Sequence, residues 1–135
     1  MMKKLKIMVV DDFDTMQKII RNILLEIGYD DITYAKNGMI ALQALQKDKI
    51  DLIISDWNMP TMNGLELLKA IRGTPTLAHL PFVMVTAEAE QKHITEAIQA
   101  KVDAYILKPF SGDMLGEKIK AALRVAEERK NTTTR

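Results

Sequence analysis

Short apolar runs alternate along this chain with longer segments in which apolar residues recur at helical spacing. The first run lies at residues 5–10, and the stripe that follows it at residues 16–27 is closed by Gly28. Such an alternation predicts βαβ units, because two parallel strands need a crossover long enough to hold a helix. The chain is therefore expected to have an α/β fold, with one parallel sheet covered by helices on both faces.

Five strands and five helices are predicted in strict alternation. The right-handedness of βαβ crossovers favours a doubly wound open sheet, and a closed eight-fold barrel would need about 250 residues. Ser111 is a favourable N-cap for the last helix. The predicted strands are residues 5–10, 32–35, 51–55, 82–85 and 104–107, and the helical stripes cover residues 16–27, 40–45, 65–71, 94–98 and the segment after Ser111.

Length and composition fit one globular domain. The chain has 135 residues, of which 47% are hydrophobic and 27% charged, and we expect a single domain at residues 1–129 with a short polar tail at 130–135. The net charge of +1 gives no support for binding to nucleic acid or to an anionic membrane. With no cysteine, disulfides, thiolate metal sites and thiol nucleophiles are excluded. The apolar run before Asp11 is too short for a signal peptide or a membrane span, so we expect a cytoplasmic protein. We also expect it to be a monomer.

Chemically active side chains follow four of the five predicted strands. Asp11 and Asp12 come after the first strand, Asp56 after the third, Thr86 at the end of the fourth and Lys108 after the fifth. Each of them taken alone has an ordinary interpretation as a cap, turn or loop residue. In doubly wound sheets, however, ligands bind outside the carboxyl ends of the strands. Their shared position therefore predicts one functional site.

The residue types at this edge indicate phosphoryl chemistry. Three neighbouring carboxylates repel one another unless a cation lies among them. Oxygen ligands suit a hard ion such as Mg²⁺, which takes one or two carboxylates together with waters and phosphate oxygens. The ammonium of Lys108 and the hydroxyl of Thr86 are suitable donors to a phosphoryl group. Because a carboxylate can itself be the nucleophile, the site predicts Mg²⁺-dependent phosphorylation of an aspartate.

Four segments resemble the receiver domain of two-component response regulators, and more narrowly the single-domain receivers of chemotaxis. The segments are VVDDF at 9–13, SDWNMPTMNG at 55–64, MVTAEA at 84–89 and YILKPF at 105–110. The resemblance spans nearly the whole chain. It implies a flavodoxin-like (βα)5 fold with strand order 2-1-3-4-5.

The resemblance also implies a role for each residue of the site. Asp56 is expected to accept a phosphoryl group from a histidine kinase of the CheA type. Asp12, Asp56 and the main-chain carbonyl of Asn58 are expected to ligate Mg²⁺, with Asp11 helping through water. Lys108 is expected to pair with the phosphoryl oxygens and to form a cis peptide bond with the proline that follows it.

A switch toward partners is implied in the same way. Thr86 is expected to swing toward the phosphoryl group, and Tyr105 to move into the space that it leaves. This movement would rearrange the face made by the fourth helix, the fifth strand and the fifth helix. The output positions implied on that face are Ala89, Tyr105 and Lys118.

Several residues depart from the pattern of the family. Lys101-Val102 stand where the family has glycine and alanine after the fourth helix, and a non-glycine residue in a left-handed conformation costs about 1 kcal/mol. A different helix end is therefore expected there. Asp14 stands where relatives carry serine, and Asn63 replaces an acidic residue. His79 and His93 have no second ligand at metal spacing and are interpreted as surface residues.

The leading hypothesis is a signalling protein rather than an enzyme. The only reactions expected of it are transfer of a phosphoryl group to itself and hydrolysis of that phosphoryl group. It would act as a diffusible switch at the flagellar motor, with the switch protein FliM and a phosphatase as partners. A phosphate sink, or a paralogue with a non-motor target, is the alternative within this class.

Two other classes of protein fit the sequence less well: a small phosphatase and a flavodoxin-like cofactor protein. The segment Asp12-Phe13-Asp14 matches the Asp-x-Asp motif of small phosphatases with an aspartate nucleophile, but Met16 departs from that motif and no substrate cap is evident. A flavodoxin-like cofactor protein would need a loop rich in Ser, Thr and Gly after the first strand, where this chain has acids.

Overall fold

Five strands and five helices alternate in the computed structural model, which describes residues 4–133. The prediction of alternating elements is thereby confirmed. In chain order the elements are β1 (Lys6–Val10), α1 (Asp14–Glu26), β2 (Asp31–Ala35), α2 (Gly38–Leu45), β3 (Leu52–Asp56), α3 (Gly64–Arg72), β4 (Phe82–Thr86), α4 (Gln91–Gln99), β5 (Ala104–Leu107) and α5 (Gly112–Thr133).

All five strands form one parallel sheet in the order β2-β1-β3-β4-β5. This is the doubly wound arrangement and the strand order that were expected. The chain first adds β2 on one side of β1 and then continues with β3 on the other side. The order of the strands therefore reverses between β1 and β3, and a crevice forms at the carboxyl end of such a pair.

Two apolar layers enclose the sheet because alternate strand residues point to opposite faces. On one face, Ile7 and Val9 of β1 pack with Leu24 of α1 and Ile119 of α5. On the other face, strand residues pack against α2, α3 and α4. The buried residues of this layer include Met8, Val10, Ala41, Leu67, Leu68, Ile71, Phe82, Met84 and Ala97. The strands are thus held from both sides, and their carboxyl ends are fixed in space.

Two strands end one residue later than the sequence predicts. Asp56 is the last residue of β3 and Thr86 the last residue of β4, where each still belongs to the sheet. Both side chains are therefore attached to strand backbone and not to loops.

The helix ends agree with the sequence at two positions and differ at two others. The Ser111 hydroxyl accepts a hydrogen bond from Met114 N at 3.1 Å, as expected of an N-cap, and Gly28 after α1 has φ 105°. Lys101 has φ 68°, so α4 is followed by a left-handed residue without the glycine that such a position favours. Helix α5 continues to Thr133, into the segment expected to be a polar tail, whose residues 134–135 lie outside the described range.

No helix within residues 4–133 combines the length and the apolar character that crossing a membrane requires.

Candidate functional site

Three carboxylates meet at the carboxyl edge of the sheet, between β1 and β3. One oxygen atom from each of Asp11, Asp12 and Asp56 lies within 4.8 Å of the other two. The pairing of β1 with β3 brings Val10 opposite Ser55, so the residues that follow these two are neighbours. We call Asp11, Asp12 and Asp56 the acidic cluster.

Two oxygen atoms of the acidic cluster are buried without a hydrogen-bond partner among the described residues. Asp11 Oδ1 accepts from Phe13 N at 2.9 Å, but Asp11 Oδ2 and Asp12 Oδ1 accept no hydrogen bond. A buried carboxylate oxygen without a donor is costly, because it has lost water and gained nothing in return. A bound cation removes that cost, and oxygen-only donors fit a hard divalent ion.

The side chain of Lys108 reaches into the acidic cluster from the loop after β5. Its Nζ lies 3.4 Å from Asp56 Oδ1 and 3.8 Å from Asp11 Oδ2. One ammonium group cannot neutralise three carboxylates, so the edge keeps a net negative charge that suits a cation. The Lys108–Pro109 peptide bond is cis, as the sequence analysis expected.

Burial shifts the acid–base behaviour of two members of the acidic cluster. It raises the pKa of Asp11 and of Asp56 above the ordinary value of 3.8. The charge of Lys108 acts in the opposite direction and favours the ionised form of Asp56. The carboxylates are thus held in a setting where a bound cation lowers their free energy.

Asp56 is fixed through both its side chain and its backbone. Its Oδ1 accepts from Trp57 N at 2.8 Å. The loop after Asp56 turns back at once, since Gly64 N donates to Trp57 O at 2.8 Å. A Cβ atom on Gly64 would lie 2.2 Å from the carbonyl oxygen of Asp56, so only glycine permits this approach.

A second group of predicted residues meets at Glu88, which the sequence analysis did not single out. Its backbone N donates to Thr86 Oγ1 at 3.1 Å, and its carbonyl oxygen accepts from the hydroxyl of Tyr105 at 2.6 Å. Its carboxylate accepts from Asn58 Nδ2 at 2.9 Å. The position of Glu88 two residues beyond the end of β4 is the signal in the sequence that points to it. Burial raises the pKa of the Tyr105 hydroxyl, and the negative charge of Glu88 adds to that effect.

An aromatic contact joins this group to α4. The ring of His93 stands edge-on to Trp57 at 5.2 Å between centroids, and Trp57 lies 6.5 Å from the ring of Tyr105. His93 Nδ1 is 3.5 Å from Glu88 Oε2, and its side chain is only 20% exposed. The prediction of a surface histidine was therefore wrong, because α4 turns this side chain toward Trp57.

Other predicted residues lie outside the acidic cluster. Ala89 is exposed on the loop after β4, and Lys118 is half-buried on α5. The carboxylate of Asp14 is 69% exposed and lies 3.5 Å from Lys36 Nζ. The Asp-x-Asp motif of a phosphatase would require Asp14 and Asp12 to lie in the same site. Asp14 is instead outside the acidic cluster.

Comparison with known proteins identifies relatives over most of the chain. A family model described as the response regulator receiver domain matches residues 7–120. Chemotaxis protein CheY-3 of Vibrio cholerae is 47% identical over 117 residues, which are 87% of this chain and 90% of that protein. Chemotaxis protein CheY of Pseudomonas aeruginosa is also 47% identical, over 85% of this chain and 93% of its own.

Solved structures of response regulators have the same fold as this chain. A putative response regulator from Chloroflexus aurantiacus superimposes with a TM-score of 0.85 at 30% identity, over 90% of this chain and 99% of that one. Chemotaxis response regulator CheY4 of Vibrio cholerae superimposes with a TM-score of 0.81 at 30% identity, over 90% of this chain and 100% of its own.

Proposed function

The chain belongs to the family of response regulator receiver domains, and we propose that it is a chemotaxis response regulator of the CheY type that is phosphorylated on Asp56. The observation that carries this proposal is the acidic cluster, in which three carboxylate oxygens lie within 4.8 Å of one another and Lys108 Nζ stands 3.4 Å from Asp56. The relatives that are 47% identical to it over 85–87% of the chain are chemotaxis proteins.

The proposed reaction moves a phosphoryl group from a phosphohistidine to Asp56. A carboxylate oxygen of Asp56 attacks the phosphorus atom, and the bond between phosphorus and the imidazole nitrogen breaks. The electron pair of that bond returns to the imidazole, and an aspartyl-phosphate forms on the chain. Loss of the group by attack of water restores the carboxylate and releases inorganic phosphate, so the chain is a switch rather than a classical enzyme.

Each neighbour of Asp56 has a proposed task in this step. Asp11, Asp12, Asp56 and the main-chain carbonyl of Asn58 would hold Mg²⁺, with Asp11 acting through water. Mg²⁺ would supply positive charge for the phosphoryl oxygens, whose charge is otherwise repelled by the carboxylates. The ammonium of Lys108 is already placed beside Asp56 Oδ1 and would pair with the phosphoryl oxygens.

The response to phosphorylation is proposed to pass through Glu88 to the face made by α4, β5 and α5. Thr86 would leave Glu88 N for the phosphoryl group, while Tyr105 would follow into the vacated space. In the present structure the Tyr105 hydroxyl already bonds to Glu88 O, while Thr86 keeps its contact with Glu88 N. The output positions proposed on this face are Ala89, Tyr105 and Lys118.

The proposed partners rest on the resemblance to the single-domain receivers of chemotaxis. The chain would receive its phosphoryl group in the cytoplasm from a histidine kinase of the CheA type and act as a monomeric domain at residues 1–129. Its target would be the flagellar motor switch protein FliM, with a phosphatase to end the signal. A phosphate sink, or a paralogue with a non-motor target, would share the chemistry and lack the motor contact.

Labelling with acetyl phosphate tests the site. In Mg²⁺ the wild-type chain should take up one phosphoryl group, and Asp56→Asn should prevent stable labelling. Asp14→Asn is the matched control, since it removes an exposed acid from the same edge of the sheet. Equal labelling of Asp56→Asn and the wild type would contradict the assignment of the acceptor.

Binding of an N-terminal FliM peptide separates the two targets. Beryllofluoride mimics the phosphoryl group, and the single tryptophan, Trp57, reports its binding beside Asp56. Peptide binding that depends on the mimic would support the motor switch. A change in Trp57 fluorescence without peptide binding would favour the sink or another partner.

A further inference from the structure

A further buried carboxylate, that of Asp103, lies at the opposite edge of the sheet from the acidic cluster. Its side chain has no exposed surface, and it accepts hydrogen bonds from Phe82 N at 2.8 Å and from Arg72 Nη2 at 2.8 Å. Arg129 Nη1 donates to its other oxygen. We call Arg72, Asp103 and Arg129 the arginine clamp.

The arginine clamp holds the segment that joins α4 to β5. Arg72 Nε and Nη2 donate to the carbonyl oxygen of Lys101 at 3.1 and 2.8 Å. Its Nη1 donates to Ala78 O and Leu80 O at 3.2 and 2.7 Å. A single guanidinium therefore fixes the left-handed residue after α4 and the loop before β4 together.

Arg129, the third residue of the arginine clamp, lies in the last turns of α5. It lies beyond Ala126, the last buried apolar residue of that helix, and the side chain of Arg129 is 18% exposed. Besides Asp103, its guanidinium contacts His79 O at 3.4 Å. The polar end of α5 is thus attached to the start of β5.

The remainder of α4 is held lightly. Ala97 is its only buried residue, and the N-cap residue Glu90 makes no side-chain hydrogen bond to the helix. Ile98 is 62% exposed. At its N-terminal end, α4 is attached through His93, which contacts Glu88 and Trp57 beside Asp56.

We propose that the arginine clamp is a fixed pivot for α4, about which only the N-terminal end of that helix moves when Asp56 changes state. This inference rests on the proposed function, because it describes how the signal of the same site reaches the α4 face. A helix fixed at one end and lightly packed elsewhere responds to a local push by rotating about the fixed end. The partner surface would then change near His93 and stay constant near Lys101.

Amide hydrogen exchange measured by NMR tests the pivot residue by residue. Lys101 N, Val102 N and Asp103 N donate to Ile98 O, Ala97 O and Phe82 O, so the exchange rates of these three amides report on the clamp. In Mg²⁺, beryllofluoride should change exchange at residues 88–94 and leave residues 101–103 within about twofold of their original rates. A change at residues 101–103 as large as that at 88–94 would overturn the pivot.

Arg129→Gln tests the clamp itself. It should speed exchange at residues 101–103 by about tenfold or more, because it leaves a buried carboxylate with one charged donor fewer. It should also let the response to beryllofluoride spread to these amides. The matched control is Arg124→Gln on the exposed side of the same helix, which should leave all of these rates within about twofold. Equal rates in the two variants would overturn the clamp.

A second variant and a second readout separate failure of the clamp from failure of the proposed function. Arg129→Lys keeps the charge and serves if Arg129→Gln does not fold; it should speed exchange less than the glutamine variant does. If beryllofluoride changes neither Trp57 fluorescence nor any amide, the proposed function and the signal-driven movement both fail. In that case, Arg129→Gln still decides whether the clamp holds residues 101–103.

Discussion

The two edges of the sheet bury carboxylates in opposite ways. At the carboxyl edge, Asp11 is 1% exposed and one of its oxygens accepts no hydrogen bond from the described residues. At the amino edge, the side chain of Asp103 is also buried, but a backbone N–H and two guanidinium groups satisfy it. Burial is therefore similar at the two edges, whereas the supply of donors differs.

This difference separates a binding site from a structural link. A buried charge with all its partners present has no need of a ligand, and removing one partner is costly. A buried charge with too few donors stores unfavourable free energy that a ligand can release. The number of donors around each carboxylate therefore predicts opposite effects of mutation at the two edges.

The largest effect is expected from Asp103→Ala. It leaves Arg72 and Arg129 without their buried partner and should lower the free energy of unfolding by about 3–5 kcal/mol. Urea denaturation measures the change. Asp48→Ala, which removes an exposed acid, is the control and should alter stability by less than about 0.5 kcal/mol. A similar small loss in both variants would contradict a structural role for Asp103.

Mg²⁺ should stabilise the chain by about 2.7 kcal/mol when its concentration is 100 times the dissociation constant. Because Asp11 and Asp56 have raised pKa values in the folded state, the folded chain without Mg²⁺ keeps these protons to higher pH than the unfolded chain does. Its stability thus falls as pH rises from the ordinary value of 3.8 through the raised values. The gain from Mg²⁺ should grow over the same window and disappear with a chelator. Thermal unfolding across this pH range measures it, and a gain independent of pH would contradict binding at the acidic cluster.

Asp56→Asn should raise the free energy of unfolding at neutral pH without Mg²⁺, on the order of 1 kcal/mol. The amide keeps an acceptor for Trp57 N–H and removes one of three crowded charges. Asp103→Asn makes the same chemical change at the other edge and should lower stability. Chemical denaturation of both variants in chelator gives the comparison, and a loss at both positions would show that donors alone do not distinguish the two edges.

The smallest effect is expected from Lys101→Gly. Glycine relieves the left-handed conformation at φ 68°, and the gain should be about 0.5–1 kcal/mol after the added freedom of the unfolded chain is subtracted. Gln99→Gly, at the last residue of α4, is the control and should instead lose up to about 1 kcal/mol. Thermal unfolding distinguishes the two signs. A loss of stability in both variants would mean that the carbonyl of Lys101 is held correctly only with lysine at that position.

The sequence predicted the acidic cluster at the carboxyl edge of the sheet, but it did not predict the arginine clamp at the amino edge. The alternation of apolar runs predicted the sheet, and the rule of strand ends then brought Asp11, Asp12 and Asp56 together. Each of these residues ends a strand or lies within two residues after one, so local pattern and topology suffice to place them. The strand order came from the resemblance to the receiver family, not from the apolar pattern.

The arginine clamp left no comparable signal. Asp103 is 31 residues from Arg72 and 26 from Arg129 in sequence, and neither arginine stands at a recognisable spacing. The polarity of the last residues predicted a tail at 130–135, whereas α5 continues to Thr133. Arg129, just before that segment, attaches the end of α5 to Asp103. His93 was misjudged for the same reason, since its contact with Trp57 depends on how α4 is placed and not on its own neighbours in sequence.

The position of Asp56 within β3 has a consequence for the design and evolution of such chains. Asp56 is paired with Val85 of β4, and β3 lies between β1 and β4 in the sheet. The proposed phospho-acceptor thus sits on backbone that is paired with a strand on both sides, while α4 and the loop before it, which belong to the proposed partner surface, lie outside the three central strands. On the proposed function, the acceptor and the partner surface are therefore separable parts. Substitutions on the exposed surface of α4 and in the loop before it would then change the partner while β3 keeps the same chemistry.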